Sequence, residues 1–563
     1  MTAIPRLVIA APSSGHGKTA VSVGLLAAFA GRGLTVTGFK IGPDYVDAGY
    51  LGLASGRPGR NLDSRLQGVD RVAPLFAHGA RGSDIALVEG AMGLYDDLAG
   101  RADGHSTAEI AGLLKAPVVL VLDVGSIGQS VGALVHGFRS FDELLWLGGV
   151  ILTGVVSDRH EQILRGSLDD LGVPVLGVLR RRSLAPLPAR QMGVAPVVDR
   201  GTDAVRAVRR LGSMVASCVE LERMVALARS APDLNVPPWS AADALAATSA
   251  APTTRQLRPN VAPPPVHPVS PAMPPSASRS VEQPVADRAE QAAAKLPEPA
   301  ADTGAASEQA VADKPGDRPA AAAADEKTML KDPKADSGAE EQPAGSQAAA
   351  APPVPPASPP PPPQRGPSRP IVAVAGGATF SYSYPETIEL LDAAGVEVAP
   401  FDPLRDEQLP EGVRGLVVGG AFPELYADEL SANQALCREV AEMAFQGAPI
   451  VAESAGLLWM VKEFDGRPMC GVLNASAQST NGLVLGYRTA VARASSPLTP
   501  LGATVIGHKA HRTVVTPRSG DNAAWQWRGG TPEGFVWRKV HASYLNLHWA
   551  GHPEIAKRFR GAL

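Results

Sequence analysis

The sequence predicts an α/β protein made of two domains that are joined by a long disordered linker. Short apolar runs alternate with helical patterns in residues 1–232, and the same alternation returns in residues 369–563. Residues 233–368, between them, are instead rich in Pro, Ala, Ser and Gln. Because buried strands that alternate with helices are typical of parallel sheets, we expect a covered parallel sheet in the first domain and a second α/β domain after the linker.

The size, charge and cysteine content of the chain exclude several classes of protein. A chain of 563 residues can build two or more hydrophobic cores. Its net charge of −4 offers no basic surface for nucleic acid, and no apolar run is long enough to cross a bilayer. Cys218, Cys437 and Cys470 lie too far apart to predict a metal site or a disulfide framework. We therefore expect a soluble cytoplasmic protein without a nucleic-acid or membrane partner.

Six apolar runs of the first domain are predicted to be strands. They cover residues 7–10, 35–41, 85–88, 117–122, 148–152 and 173–178. Helical patterns lie between them, for example over residues 106–115, 128–138 and 159–171. In sheets of this kind ligands bind beyond the carboxyl ends of the strands, so the residues that follow each run are the candidates for a site.

The loop after the first strand has the composition of a phosphate-binding loop. It contains Ser14, Gly15, His16, Gly17, Lys18 and Thr19, and a helical stretch follows. Glycine N–H groups and a helix N-terminus attract phosphate, Lys18 can reach the β- and γ-phosphates, and the Thr19 hydroxyl can bind Mg²⁺. Pro12 stands where the strict pattern has glycine, and a turn that binds nothing is the alternative. We predict a P-loop NTPase-like domain that binds ATP and Mg²⁺.

Acidic residues follow the second and third predicted strands. Asp44 comes after the second strand, and Glu89 closes the third. Carboxylates at strand ends beside a P-loop can hold Mg²⁺ directly or through water. The alternative is that they are helix N-caps or solvated loop charges. We predict Thr19, Asp44 and Glu89 as the metal-binding residues.

The middle of the chain is predicted to be a disordered tether. After Trp239 no aromatic residue occurs until the second domain, and the segment ends in a run of five prolines at 359–363. Such a composition cannot bury enough apolar surface to offset the entropy of ordering the chain.

The second domain contains a strand–turn–helix unit of catalytic type. Its predicted strands cover residues 371–375, 396–400, 415–418 and 448–452. The last of these is followed by Glu453, Ser454, Ala455 and Gly456 and then by an apolar helix. A small-residue turn that carries a serine between a strand and a helix is the geometry of a nucleophile elbow.

Longer stretches of both domains resemble the cobyrinic or hydrogenobyrinic acid a,c-diamide synthase family of corrin amidotransferases. These are residues 39–47, 56–63, 89–96, 157–161 and 419–426. The resemblance implies an N-terminal, dethiobiotin-synthetase-like ATP-dependent synthetase domain and a C-terminal class I glutamine amidotransferase domain. It also implies that peripheral corrin carboxylates are activated as acyl phosphates and that ammonia from glutamine then forms the amide.

The resemblance assigns roles to residues of the synthetase domain. Lys18, Asp44 and Asp47 take catalytic positions, with Glu89 beside Mg²⁺, and Thr153 stands where the family has an asparagine that contacts the purine. The chain departs from the family at Leu51 and Gln191, where the family has histidines.

The glutaminase domain departs from the family at both catalytic positions. Ser454 replaces the nucleophilic cysteine, and Asn546 replaces the histidine that activates it, whereas the neighbouring His548 is retained. A serine hydroxyl needs a positioned general base, and His548 would lie about 7 Å farther along a strand than the lost histidine. We therefore expect no glutaminase activity, and we expect Cys437 and Cys470 to be core thiols rather than substitutes.

Three functions remain open from the sequence. The first is a corrinoid amide ligase that uses free ammonia, ammonia from another subunit or a different amine. The second is a nucleotide-binding pseudoenzyme that scaffolds or regulates a complete paralogue, which the loss of both glutaminase residues favours. The third is a ligase for a non-corrin acid, suggested by Leu51 and Gln191. The nitrogen source, glutamine or ammonia, and a homodimer are left open.

Overall fold

The structure is a computed structural model that describes most of both predicted domains. The described residues are 4–97, 105–181, 187, 189–190, 193–194, 197, 201–250, 369–421 and 423–563. Most of the predicted linker, residues 251–368, lies outside them, as does Gln191. We call residues 4–250 the front domain and residues 369–563 the rear domain. Both are α/β domains, which confirms the predicted fold class.

The front domain contains a seven-stranded parallel sheet in the order β3-β2-β4-β1-β5-β6-β7. Its strands are β1 (Arg6–Ala10), β2 (Val36–Ile41), β3 (Arg60–Leu62), β4 (Ile85–Glu89), β5 (Val118–Asp123), β6 (Leu147–Val155) and β7 (Val175–Arg180). Two further strands, β8 (Ala189–Arg190) and β9 (Gly193–Val194), form a separate hairpin. All six predicted strands are confirmed, whereas β3 was not predicted because a run of three residues is too short to show a periodicity.

Helices cover both faces of this sheet. They are α1 (Lys18–Gly31), α2 (Tyr45–Ser55), α3 (Ser64–Gln67), α4 (Val69–Gly79), α5 (Thr107–Leu113), α6 (Ser130–Phe141), α7 (Asp158–Asp169), α8 (Gly201–Cys218), α9 (Leu221–Arg229) and α10 (Ala241–Ala250). Successive side chains of β1 point to opposite faces, so Leu7 and Ile9 join one core and Val8 and Ala10 join the other. Within the described ranges, no helix combines the length and apolar character that crossing a membrane requires.

The rear domain combines a mainly parallel sheet with a second sheet. The strands of the first sheet are β10 (Ile371–Ala375), β11 (Glu397–Phe401), β12 (Val413–Val418), β13 (Ile450–Glu453), β19 (Phe535–Trp537) and β20 (Val540–Ser543). They lie in the order β11-β10-β12-β13-β20-β19. The second contains β14 (Val461–Phe464), β15 (Arg467–Pro468), β16 (Leu473–Ala492), β17 (Thr504–Thr516), β18 (Trp525–Trp527) and β21 (Asn546–Leu547). Its helices are α11 (Pro385–Ala393), α12 (Ala427–Ala432), α13 (Gln434–Phe445), α14 (Ala455–Met460) and α15 (Glu554–Ala562), with 3₁₀ turns at Pro423–Leu425 and Trp549–Gly551.

The linker prediction is wrong for its first residues, 233–250. Trp239 is buried, its backbone N–H donates to Pro74 O at 2.9 Å, and its ring meets the His78 ring at 5.3 Å. Leu245 of α10 is also buried in the same core cluster. Trp239 thus docks this stretch on α4 of the front domain, whereas α10, which carries Leu245, packs against α11 and α15 of the rear domain.

A buried ion network joins the two domains. Arg60 of β3 donates through Nη1 to Glu386 Oε1 at 2.6 Å, and through Nη2 to Glu389. His78 Nε2 lies 3.0 Å from Glu389 Oε2. The Glu386 side chain is only 1 % exposed, so its charge depends on Arg60 for compensation. The two glutamates belong to α11 of the rear domain, and the network therefore fixes α11 against the edge of the front sheet.

Replacing Arg60 by alanine is expected to destabilise the protein by about 3–5 kcal/mol, because it leaves a buried carboxylate without a partner. The matched control is Arg32→Ala, which removes an exposed ion pair with Glu222 and should cost at most about 1 kcal/mol. The thermal-unfolding midpoints of the two variants measure the difference. Equal midpoints would show that the Arg60 network does not hold the domains together.

Candidate active site

The phosphate-binding loop joins β1 to α1 and is shaped by two glycines. Gly15 and Gly17 have φ angles of +92° and +88°, a conformation that residues with a Cβ rarely adopt. The Lys18 ammonium lies inside the loop and donates to Ser13 O at 2.9 Å and to Met92 O at 2.5 Å. Burial lowers the pKa of Lys18, and the neighbouring Lys40 acts in the same direction. The loop therefore holds the Lys18 amine at its centre, and phosphate binding by this residue stays a prediction.

Of the other residues predicted to bind the nucleotide, His16 and Thr153 contact main-chain atoms, whereas Ser14 makes no such contact with the described residues. Ser14 is exposed at the tip of the loop. His16 Nδ1 accepts the N–H of Asp123 at 2.8 Å, which fixes the imidazole at the end of β5. Thr153, at the end of β6, is buried and its hydroxyl lies 3.2 Å from His16 O and 3.3 Å from Leu122 O. A purine contact by Thr153 stays a prediction, since its hydroxyl bonds to the backbone.

A buried polar cluster lies directly beside Lys18. The Thr19 hydroxyl donates to Glu89 Oε1 at 2.6 Å and lies 3.2 Å from Asp47 Oδ2. The Lys40 ammonium is 2.7 Å from Asp47 and 2.8 Å from Glu89, so one cation bridges the two carboxylates. Lys40 was not singled out from the sequence, although it belongs to the stretch 39–47 that carries the family resemblance.

The electrostatics of this cluster follow from burial and from the shared lysine. Burial raises the pKa of Glu89 to about 7, although the Lys40 ammonium acts in the opposite direction. Burial also acts to lower the pKa of Lys40, but the carboxylates of Glu89 and Asp47 more than offset it, so that this pKa is raised. Lys40 is therefore a permanent positive charge that stabilises the two acids close together.

Asp44 lies next to this cluster and caps a helix. It is the N-cap of α2, and its Oδ1 accepts the N–H groups of Val46 and Asp47 at 2.9 Å and 3.1 Å. Its side chain is exposed. The structure thus gives Asp44 the N-cap role that was the alternative from the sequence, and a role for it in metal binding or catalysis stays a prediction.

The residues present fit a Mg²⁺ ion that also binds phosphate and water. Glu89 Oε2 is completely buried and has no hydrogen-bond partner in the described part of the chain, which leaves one oxygen available next to Thr19 and Asp47. Nowhere in the described ranges do three His, Cys, Asp or Glu side chains converge as a metal cage. Mg²⁺ at phosphate-transfer sites needs only one or two carboxylates, because it keeps water and phosphate ligands.

The loop after β4 closes over the phosphate-binding loop. The N–H of Leu94 donates to Ala11 O at 2.8 Å, and a Cβ on Gly93 would lie 2.4 Å from Pro12 O. Met92, whose carbonyl accepts from Lys18, has a φ of +50°. The stretch 89–96 therefore needs a glycine at Gly93, where the two loops cross, and this explains the glycine in the motif.

Leu51, one of the departures from the family, is fully buried in the core on α2.

In the rear domain Ser454 occupies a strained turn between β13 and α14. Its φ and ψ are +53° and −110°, and its N–H donates to Ser543 O at 2.8 Å. A strained residue at this turn is what a nucleophile elbow requires, so the predicted elbow is confirmed. Within the described chain, Ser454 Oγ has no hydrogen-bond partner. Among the described residues, no imidazole is hydrogen-bonded to this hydroxyl.

The position of the missing histidine lies beside the elbow. Asn546 is buried in β21, and Glu453 Oε1 accepts the N–H of the following Leu547 at 3.2 Å. Asn546 of β21 lies opposite His508 of β17 in the antiparallel strand pairing. Asn546 Oδ1 and His508 Nε2 have no hydrogen-bond partners among the described residues. Burial lowers the pKa of His508 to about 4, and burial raises the pKa of Glu453 to about 8. Burial therefore favours the uncharged form of both groups.

His548 faces the front domain and does not replace the lost base. The strand ends at Leu547, and the His548 Nε2 atom lies 2.8 Å from Gln67 Nε2 of the front domain. Its ring lies 4.0 Å from the Tyr384 ring, and burial lowers its pKa to about 3. Cys437 and Cys470 are both buried in the rear core, as expected of structural thiols.

Comparisons with known proteins agree with the two-domain organisation. Residues 7–194 match the CobQ/CobB/MinD/ParA nucleotide binding domain, and residues 371–554 match the CobB/CobQ-like glutamine amidotransferase domain. Two relatives bear the name hydrogenobyrinate a,c-diamide synthase. The one from Streptomyces coelicolor is 47 % identical over 99 % of this chain and 97 % of its own, and that from Thermobifida fusca is 38 % identical over 100 % and 97 %.

A more distant relative is named as a cobyrinate rather than a hydrogenobyrinate a,c-diamide synthase. The cobyrinate a,c-diamide synthase of Synechococcus is 31 % identical over 98 % of this chain and 97 % of its own length. Similarity at this level runs through both domains and matches the resemblance found in the motifs. The chain belongs to the family of hydrogenobyrinate and cobyrinate a,c-diamide synthases.

Proposed function

We propose that this protein is an ATP-dependent carbon–nitrogen ligase that amidates the a and c carboxylates of hydrogenobyrinate or cobyrinate in cobalamin biosynthesis. We propose further that it uses free ammonia and has no glutaminase activity of its own. The names of the full-length relatives support the substrate class. The observation that carries the proposal is the buried cluster of Thr19, Lys40, Asp47 and Glu89 beside Lys18, which sits where a nucleotide phosphate and an acid could meet.

Phosphoryl transfer from ATP to a carboxylate requires positive charge beside the reacting groups. A carboxylate oxygen of the substrate attacks the γ-phosphorus of ATP, the bond to the bridging oxygen breaks, and ADP leaves. Two anions approach each other in this step, so the Lys18 and Lys40 ammonium groups stabilise the charge that develops. Thr19, Asp47 and Glu89 are the residues that would hold Mg²⁺, which supplies further neutralisation of phosphate charge when bound.

Ammonia completes the reaction. Its nitrogen attacks the carbonyl carbon of the acyl phosphate, the carbon–oxygen bond to phosphate breaks, and a proton is lost to give the amide and inorganic phosphate. The rear domain can supply little of this ammonia from glutamine, because the elbow carries a hydroxyl without a base.

The test compares nitrogen sources with the purified protein, ATP, Mg²⁺ and hydrogenobyrinate. We expect amide and ADP to form with ammonium chloride and not with glutamine. Equal turnover with glutamine would refute the absence of glutaminase activity. Nucleotide binding without ATP cleavage under any condition would instead favour the pseudoenzyme that scaffolds a complete paralogue, and turnover only with another acid would favour the non-corrin ligase.

A further inference from the structure

Three consecutive backbone carbonyls precede the helix that carries Asp47. They belong to Gly42, Pro43 and Asp44, and Gly42 has a φ of +80° that fixes a sharp turn there. The buried Asn61 side chain donates through Nδ2 to Gly42 O at 2.7 Å and to Asp44 O at 2.8 Å. The front domain therefore holds the first and third carbonyls itself.

The second carbonyl is held by the rear domain. The Tyr382 hydroxyl donates to Pro43 O at 3.1 Å and also contacts the Tyr384 hydroxyl. The Tyr382 ring stacks on the Tyr45 ring with centroids 3.9 Å apart and an interplanar angle of 27°. Tyr45 is the first residue of α2, so the rear domain contacts both the turn and the helix that follows it.

Tyr382 is itself rigidly placed beside the elbow. Its backbone exchanges two hydrogen bonds with Gly420, at 2.9 Å and 3.2 Å. A Cβ on Gly420 would lie 3.0 Å from Tyr382 Cδ1 and 3.2 Å from Ser454 Cβ, so the three residues are in close packing. Tyr382 is only 7 % exposed. The donor that reaches Pro43 is therefore anchored in the scaffold of the rear domain.

We propose that Tyr382 is a positioning residue for the reaction of the front domain, so that the rear domain completes the ligase site even without glutaminase activity. The hydroxyl holds Pro43 O, the turn places α2, and α2 places Asp47 against Thr19 and Lys40. This inference rests on the proposed function for its effect on rate, but the contact with the turn can be measured independently of any turnover. It gives a reason for a glutaminase-like domain with an inactive elbow to remain part of a working ligase.

The test is Tyr382→Phe in the full-length protein, since it removes the hydroxyl and keeps the ring that stacks on Tyr45. Two quantities are measured: amide hydrogen exchange in a peptide that covers residues 43–50, and the kcat and KM for ATP with ammonium as nitrogen source. We expect exchange in the peptide to rise several-fold and kcat to fall about tenfold, with the KM for ATP within about twofold of the natural protein.

The matched control is Tyr487→Phe, which removes another hydroxyl from the same domain interface. Tyr487 donates to Asp63 Oδ2 at 2.7 Å and does not bond to the Gly42–Asp44 carbonyls. We expect this control to leave both the exchange of residues 43–50 and kcat within about twofold. Equal effects of the two variants would mean a general loosening of the interface and would overturn the proposal.

The two measurements separate the possible failures. Unchanged exchange in Tyr382→Phe would show that the hydroxyl does not hold the turn, and faster exchange with unchanged kcat would show that the turn does not position the site. Either result overturns the proposal. If the natural protein forms no amide with any nitrogen source, the proposed function fails, and the exchange experiment alone still decides whether Tyr382 holds the turn.

Discussion

Replacing Lys18 by alanine is expected to lower the kcat/KM of ammonium-dependent amide formation by at least about 10²–10³-fold, the usual cost of removing one group that stabilises transition-state charge. Lys18 is only 8 % exposed, and its ammonium group is held inside the phosphate-binding loop by Ser13 O and Met92 O. The neighbouring Lys40 ammonium already pairs with Asp47 and Glu89, at 2.7 Å and 2.8 Å, so we expect it not to replace the lost charge. Steady-state rates and the binding of a labelled triphosphate measure the two consequences.

The control for Lys18→Ala is Lys462→Ala. Lys462 is an exposed lysine on β14 of the rear domain, so its removal changes the net charge by the same amount away from the loop. We expect this variant to keep the natural rate and triphosphate affinity. Undiminished triphosphate retention by Lys18→Ala would contradict the assignment of the loop as the nucleotide site.

We also expect a large gain of glutaminase activity in the double variant Ser454→Cys with Asn546→His. The elbow geometry is intact, and the Glu453–Leu547 hydrogen bond holds β21 next to it. A thiol is intrinsically nucleophilic, and the imidazole restores the base that the family places at this position. Because nucleophile and base act as a unit, we expect glutamate release to rise at least about 10³-fold in the double variant and to change little in either single variant.

The matched control for this experiment is Ser454→Ala with Asn546→His, which keeps the new imidazole and removes the nucleophile. It should release no glutamate above the background of the natural protein. If the folded double variant is as inactive as this control, the loss of two side chains does not explain the inactive elbow. If the natural protein already matches the double variant, the expectation of an inactive glutaminase is wrong.

The sequence was a good guide wherever local pattern decides structure. Parallel strands place their carboxyl ends at one edge, so Asp44 and Glu89 were predicted to meet beside the phosphate-binding loop, and the structure brings Glu89 to Thr19. Asp47, which only the family resemblance indicated, reaches Thr19 from α2. The elbow could be predicted in the same way, from a strand, a small turn and a helix around Ser454.

Contacts between residues far apart in the chain could not be predicted from pattern. Nothing in the local sequence distinguishes Lys40 from other lysines at strand ends. Only the fold shows that its ammonium group bridges the carboxylates of Asp47 and Glu89. Arg60 and Tyr382 act across the domain interface, over separations that leave no periodic signal. The long strands β16 and β17 were missed because their pairing slips between Ser479 and Val484, which breaks the alternation of apolar and polar residues.

The helix-capping role of Asp44 shows a further limit of sequence reasoning. An aspartate just before a helix is equally suited to cap it and to bind a metal, and the sequence alone does not separate the two uses. In the structure the same Oδ1 atom accepts two backbone N–H groups of α2. The capping bonds still place Asp44 at the start of the helix that presents Asp47, so it contributes to the geometry of the site.

The most direct test of the account measures whether an oxygen atom of the substrate carboxylate is transferred to the released phosphate. Hydrogenobyrinate labelled with ¹⁸O in its carboxylates is incubated with the protein, ATP, Mg²⁺ and ammonium chloride in the absence of glutamine, and the released phosphate is examined by mass spectrometry. If the front domain forms an acyl phosphate, each phosphate released with an amide carries one ¹⁸O atom from the acid. Amide formation with unlabelled phosphate, or no turnover until glutamine is added, would contradict the account.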